Sequence, residues 1–182
     1  MNGEGVELLA AELRSEFDRS FARAYPTPPP PQQDLLAVRV ADHDYMVSLD
    51  EVLSIHADRK VVPLPTLRPA LLGLVGVRGS ILPVYDLRQL LGYPKGTVAP
   101  RWLISVRAPG PFTVAFERLD GHLRLPRAQL LAPTVSGTET AFIRGSVTTE
   151  SGPRPLLDLA ALFAVVTASE RRPHASKPEE TR

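Results

Sequence analysis

The sequence predicts a mainly β chain built as two similar small barrel lobes behind one N-terminal amphipathic helix. Three observations carry this. Short β-type runs follow one another at close spacing, with turn residues between them. Two stretches about sixty-six residues apart echo each other: VRGSILPVYDLRQLLG from Val77 and IRGSVTTESGPRPLLDLAALF from Ile143. Both open on an apolar residue followed by Arg-Gly-Ser, and both close on Asp-Leu-x-x-Leu. Ahead of them a helical apolar stripe is cut off by prolines.

Residues 1–25 hold that helix. Leu9, Leu13, Phe17 and Phe21 recur every four positions, with Val6 before them, while most of the charged residues lie off the stripe. This is the pattern of an amphipathic helix. The stripe is expected to dock on a partner or to self-associate, the alternative being that it packs back onto its own barrel. Residues 26–33 form a proline-rich linker. Proline lacks the N–H a helix needs and fixes φ, so the segment predicts a stiff extended spacer.

Past Asp34 the first lobe, residues 34–92, reads as strands at Leu35 to Val40, Tyr45 to Leu49, Ser54 to Val62, Gly73 to Val77 and Ile81 to Tyr85. Asp42-His43-Asp44 is read as turn material, since tight turns favour Asp. Asp86 is a good N-cap and Gly92 a good C-terminal stop, which predicts a two-turn helix between them. The second lobe, residues 100–168, repeats this grammar. Strands are expected at Trp102 to Val106, Phe112 to Phe116, Leu119 to Leu125, Phe142 to Val147 and Pro155 to Leu157, with a short helix capped by Asp158. The polar tail, residues 169–182, is expected to be disordered.

Arg78 and Asp86 are eight residues apart, Arg144 and Asp158 fourteen. The excess predicts an extended hairpin tip at Thr149 to Arg154. Each copy then reads as strand, tight Arg-Gly turn, strand and Asp-capped helix, as a duplication would leave it.

Composition narrows the function classes. The formal net charge is +1, with scattered basic residues and one Trp. A nucleic-acid binder usually carries a clear cationic excess and a base-stacking platform, so no nucleic-acid partner is expected. Cysteine is absent, which removes disulfides, thiolate nucleophiles and Cys-ligated zinc. The four histidines lack metal-ligand spacing, and neither a nucleophile elbow nor a phosphate loop occurs. No catalytic residue, cofactor or metal is expected. The acidic N-terminus does not read as a signal peptide, and the longest apolar run is too short to cross a bilayer. A cytoplasmic chain without direct membrane insertion is expected, and a binding module is what remains.

The stretch GLVGVRGSILPVYDLR from Gly73 to Arg88 resembles the signature of the CheW-like domain of bacterial chemosensory adaptors, G-x-x-N-x-R-G-x-x-x-P-x-x-D-L-R. The resemblance extends over about residues 34–166. It implies a fold of two intertwined five-stranded SH3-like barrels with short helices. It also implies a non-enzymatic scaffold in chemotaxis signal transduction, coupling the cytoplasmic tip of a methyl-accepting chemoreceptor to the regulatory domain of a CheA-type histidine kinase, with recruitment to membrane-associated receptor arrays. The resemblance assigns receptor coupling to Arg78, presented by Gly79, and to the stretch holding Val52 and Ser54. Gly73, Pro83, Asp86, Leu87 and Asp158 are read as structural. The chain departs from the pattern at Gly76, where the signature has Asn, at Ser54, where Glu is frequent and pairs with the motif Arg, and at Glu117, where Asp is usual. Arg78 is then left to find Asp50, Glu51 or a partner's carboxylate. The rival readings are an adaptor of a motility or developmental pathway other than swimming, bound to one of these partners only, and an SH3-like barrel that binds nucleic acid.

Overall fold

A computed structural model describes residues 13–17, 30–132, 141–149 and 152–170. Two compact units divide at Pro30 and Pro31. In the first unit residues 13–17, which include Leu13 and Phe17, are helical; Leu9, Phe21 and residues 26–29 of the proline-rich linker lie outside the described residues, while its last two residues, Gln32 and Gln33, already belong to the first strand.

The second unit is mainly β. Its strands are β1 (Gln32–Val40), β2 (His43–Ser48), β3 (Val52–Ala57), β4 (Leu71–Val77), β5 (Ser80–Asp86), β6 (Trp102–Val106), β7 (Thr113–Phe116), β8 (Arg118–Pro126), β9 (Leu130–Leu131), β10 (Ile143–Thr149) and β11 (Gly152–Leu157). Helix α1 is Leu87–Leu90 and α2 is Leu159–Glu170. One sheet has the order β8-β1-β2-β11-β10-β9 and the other β3-β6-β7-β5-β4. Each sheet therefore mixes the halves of the chain. The β1–β2 hairpin joins a sheet made otherwise of late strands, through a parallel contact between Met46 and Leu156. The β6–β7 hairpin joins the early strands through the parallel pairing of β7 with β5.

Burial follows from this exchange. Leu36, Val38 and Val40 of β1 enter a central core with Tyr45, Val47, Ile104, Val114, Phe116, Leu157, Leu159 and Leu162. Leu35 and Ala37, on the other face of β1, enter a second core with Met46, Val147 and Leu156. A third core holds Val75, Val77, Val84, Leu103 and Ala115. A strand buried on both faces reads as a continuous apolar run rather than an alternation, which is why β1 is LLAV at its centre.

The two halves are related, but in a register the echoed phrase does not suggest. Leu71 pairs with Tyr85 and Gly73 with Val84, across a bulge. Ile143 pairs with Leu157 and Gly145 with Leu156, across the same bulge. Leu74 then faces Pro83 as Ser146 faces Pro155. Leu71 corresponds to Ile143 and Asp86 to Asp158, both 72 residues on, without a gap. Val77↔Ser80 and Thr149↔Gly152 each close a hairpin with two residues between them. Two expectations are thereby corrected. Arg144-Gly145 lies inside β10 and is no turn, and Pro153 and Arg154 belong to β11 rather than to an enlarged tip. Arg-Gly-Ser matches by coincidence. The glycines that truly correspond are Gly73 and Gly145, and both stand where a neighbouring backbone comes too close for a side chain. A Cβ would lie 2.1 Å from the Val62 carbonyl oxygen at Gly73 and 2.5 Å from that of Leu131 at Gly145.

Helix caps follow the same correspondence. The Asp86 carboxylate accepts from the Arg88 N–H at 3.0 Å, and that of Asp158 from the Ala161 N–H at 2.8 Å. Leu87 and Leu159, the next residues, are fully buried. Helix α1 has one turn rather than the expected two. Its end is set by Gly92 at φ +86°, whose N–H donates to the Gln89 carbonyl while that of Tyr93 donates to Arg88, the Schellman closure. Helix α2 is longer than expected and reaches Glu170, because nothing in its Ala-rich sequence breaks a helix; residues 171–182 lie outside the described residues. Strand β3 is shorter than expected. It ends at Ala57, after which Asp58 takes φ +54° and Val62 returns as an isolated bridge to Leu74.

Two ion pairs stand where the chain crosses between the sheets. Glu51, between β2 and β3, meets Arg144 of the other half at 3.1 Å. Glu117, between β7 and β8, meets Arg88 at 3.2 Å. Burial pushes the Glu51 carboxyl up, against the lowering influence of Arg144; Asp158 nearby also raises it, and the Leu159 and Ala160 N–H groups lower it. A polar ladder ties four strands of the first sheet together. Arg154 on β11 meets Asp44 on β2, Asp44 meets Arg39 on β1, and Arg39 meets Asp120 on β8.

Candidate functional site: the β4–β5 corner

Strands β4 and β5 meet in a two-residue turn, Arg78 at φ +48° and Gly79 at φ +82°. Two successive positive-φ residues match the right-handed twist of the flanking strands. Glycine adopts this conformation freely, whereas arginine does so at a cost of about 1 kcal/mol. Both residues are exposed at the tip.

Strand β3 supplies the neighbouring groups. The Ser54 hydroxyl and the His56 Nε2 are 3.0 Å apart. Burial, then the charges of Arg59 and Arg78, hold the His56 ring below the usual histidine range. Arg59 and Arg78 thus both stand within electrostatic reach of His56. Among the described residues no carboxylate comes within 4.0 Å of Arg78. Glu51 is taken by Arg144 instead.

The expected site residues fare differently. Arg78, Gly79 and Ser54 lie at or beside the corner. Val52 starts β3 and is only 8% exposed, inside the central core; its neighbour Leu53 is the exposed one, at 61%. A bulge between Val52 and Ser54 breaks the alternation there, so counting by twos along β3 misassigns the faces. Sequence reasoning missed His56, Arg59 and Ile81, the last 72% exposed and directly opposite Gly76. An apolar residue one place past a turn serine gave a usable signal for Ile81; nothing local to the chain brings His56 towards Arg78.

The other expected residues serve the fold. Gly73 admits the Val62 carbonyl, Pro83 sits in β5 opposite Leu74, and Asp86, Leu87 and Asp158 form the caps and buried contacts described above. A second polar cluster lies under the loop at residues 94–100, in a cleft of about 280 Å³ lined by Asp86, Arg88, Lys95 and Glu117. Burial pushes Asp86 up despite the Arg88 and Gln89 hydrogen bonds, with Glu117 adding to the rise. Arg88 spans this cleft, donating to the Pro94 carbonyl and to Glu117. Among the described residues no three His, Asp or Glu side chains gather as metal ligands, and no helix is long and apolar enough to cross a membrane.

The family model of the CheW-like domain matches residues 34–167, nearly the whole second unit. The chain belongs to the CheW-like domain family. The chain is 27% identical over 144 residues to protein FrzA of Myxococcus xanthus, covering 78% of this chain and 90% of that one. It is 26% identical over 137 residues to a probable chemotaxis protein CheW of Rhizobium etli, covering 72% and 88%. Among solved structures, the scaffolding protein TtCheW of Thermoanaerobacter tengcongensis shares the fold, with a TM-score of 0.66 at 20% identity, over 73% of this chain and 93% of that one. The matched range takes in strands of both sheets and the stretch from Gly73 to Arg88.

Proposed function

We propose that this chain is a chemosensory adaptor scaffold linking a chemoreceptor tip to the regulatory domain of a CheA-type histidine kinase. The observation that carries the reading is the family match over residues 34–167. In this reading the two sheets are SH3-like barrels, residues 34–168 act as the signalling domain, and residues 1–33 are an appended helix and spacer. The protein works in the cytoplasm, at receptor arrays, with no catalytic step or cofactor. Such a scaffold signals by populations: it shifts the kinase between active and inactive states only as far as its contacts differ between them.

Arg78, Gly79 and Ser54 are proposed as receptor-contacting residues, with Val52 supporting β3 beneath them from the core. The Leu9, Leu13, Phe17 and Phe21 stripe is proposed as a separate docking element. Calorimetry of the purified chain against the kinase regulatory domain, with and without a receptor-tip fragment, tests the reading. Micromolar binding to both supports it, and a folded sample that binds neither overturns it. Removing residues 1–32 tests the stripe: lost partner binding at an unchanged melting temperature is expected, and a lowered melting temperature with binding intact would place its role in stability.

A further inference from the structure

We propose that the cleft beside the second core binds a small organic anion, a carboxylate carried on a short aliphatic chain. This goes beyond the adaptor reading and does not depend on it.

The two halves of the chain differ where this cleft lies. The offset of 72 residues sets Val147 on Val75, Leu156 on Val84, Thr149 on Val77 and Arg154 on Leu82. The first two exchanges keep a core apolar: Val75 and Val84 are buried in the third core, Val147 and Leu156 in the second. The other two do not. Val77 is buried in the third core and Leu82 packs against it, whereas Thr149 and Arg154 line an open cleft of about 660 Å³. Two small residues leave room for it. Ala37 on β1 pairs with Gly121 on β8, and the bulge that follows leaves Asp120 without a counterpart in the β1 register. A Cβ at Gly121 would meet nothing within 4 Å. Bulges re-aim side chains at the rims of sites, and a cleft of this volume is of the size that holds small molecules.

Charge and lining give the ligand class. The Arg154 side chain is only 19% exposed and meets Asp44 at 3.3 Å. Asp44 also meets Arg39, and Asp120 meets both Arg39 and Arg118. Arg39, Arg118 and Arg154 thus share Asp44 and Asp120, which leaves one positive charge in excess. Asp34 does not restore the balance, since His122 and Arg124 hold it. A guanidinium takes a carboxylate through two parallel N–H donors. The Gln129 amide and the Thr148 hydroxyl, which also line the cleft, can add a donor each. The apolar part of the lining is Ala37, Leu123 and Leu125, all members of the second core or packed against it, so a carbon chain has a surface to rest on. Among the described residues no aromatic side chain lines the cleft, so a ring finds nothing to stack on. Oxyanion towards Arg154 and aliphatic chain towards Ala37 is the arrangement that uses both parts of the lining.

The test is an NMR titration of the ¹⁵N-labelled full chain, at neutral pH and constant ionic strength, with three probes: butyrate, butylammonium and inorganic phosphate. Butyrate is expected to shift the amides of Ala37, Gly121, Leu123 and Arg154 and to saturate with a Kd on the order of 1 mM. Butylammonium has the same chain and the opposite charge, and is expected to leave them in place. Phosphate has the charge without the chain, and is expected to bind at least about tenfold more weakly. Thr149→Val combined with Arg154→Leu gives the second half the apolar pair of the first, and is expected to weaken butyrate by about tenfold or more. Gln129→Ala changes an exposed side chain and serves if that variant does not fold, with an expected loss of about threefold. No saturable shift with butyrate, equal shifts with butylammonium, phosphate as tight as butyrate, or butyrate binding untouched by the variants would each overturn the proposal.

Discussion

At the scale of single residues, glycines in similar backbone positions carry unequal weight. Gly79 has a positive φ but open space around it, so Gly79→Ala costs only the turn strain, about 1 kcal/mol. Gly73 has φ +146° and a carbonyl oxygen 2.1 Å from where a Cβ would sit. Gly73→Ala must push the Val62 backbone away and is expected to cost about 3 kcal/mol. Chemical denaturation of the two variants should give that order; equal losses would refute it. Asp86 gives a pH signature. Its folded pKa is raised above the ordinary 3.8, chiefly by burial, so the folded state prefers the protonated acid. The penalty is absent below the ordinary value, grows as pH rises through the folded pKa, and persists above it. Asp86→Asn keeps an oxygen for the Arg88 N–H but cannot ionise. Its stability relative to the parent should improve from about pH 4 to pH 7; a constant difference across that range would rule the account out.

At the scale of elements, the two crossing points are alike in plan. Each Glu precedes the third strand of its half, and each is held by an Arg from the other half. Glu117 and Arg88 have side chains 19% and 23% exposed, so solvent screens part of their attraction. A double-mutant cycle on Arg88 and Glu117 is expected to return a coupling of about 1 kcal/mol, and zero coupling would reduce the pair to a surface contact. The β4–β5 and β10–β11 hairpins show what sequence matching can and cannot read. Asp-Leu at Asp86 and Asp158 was legible, because a cap side chain and the buried leucine after it are local requirements. The strand register was not. Arg-Gly-Ser suggested a 66-residue offset, whereas bulge, close glycine and paired proline all obey the offset of 72. The need for those two glycines comes from Val62 and Leu131, neighbours that local sequence does not name.

At the scale of the whole molecule, exchange of the first hairpins makes each sheet depend on both halves of the chain. Neither half can bury the central core alone. Separately produced fragments 31–98 and 99–182 are expected to lack cooperative melts and to regain one when mixed, followed by circular dichroism. A cooperative melt of either fragment by itself would contradict the observed topology. The sequence by itself determined the strand-rich composition, the two Asp-capped helices, the family and the exposed Arg-Gly turn, because propensity, caps and turn chemistry act within a few residues. Only the tertiary structure decided that Val52 faces inward, that Arg144 secures a crossing, and that His56, Arg59 and Arg78 share one corner. Those outcomes depend on which strands pair across the chain, and pairing is set by the joint burial of three cores rather than by any single segment.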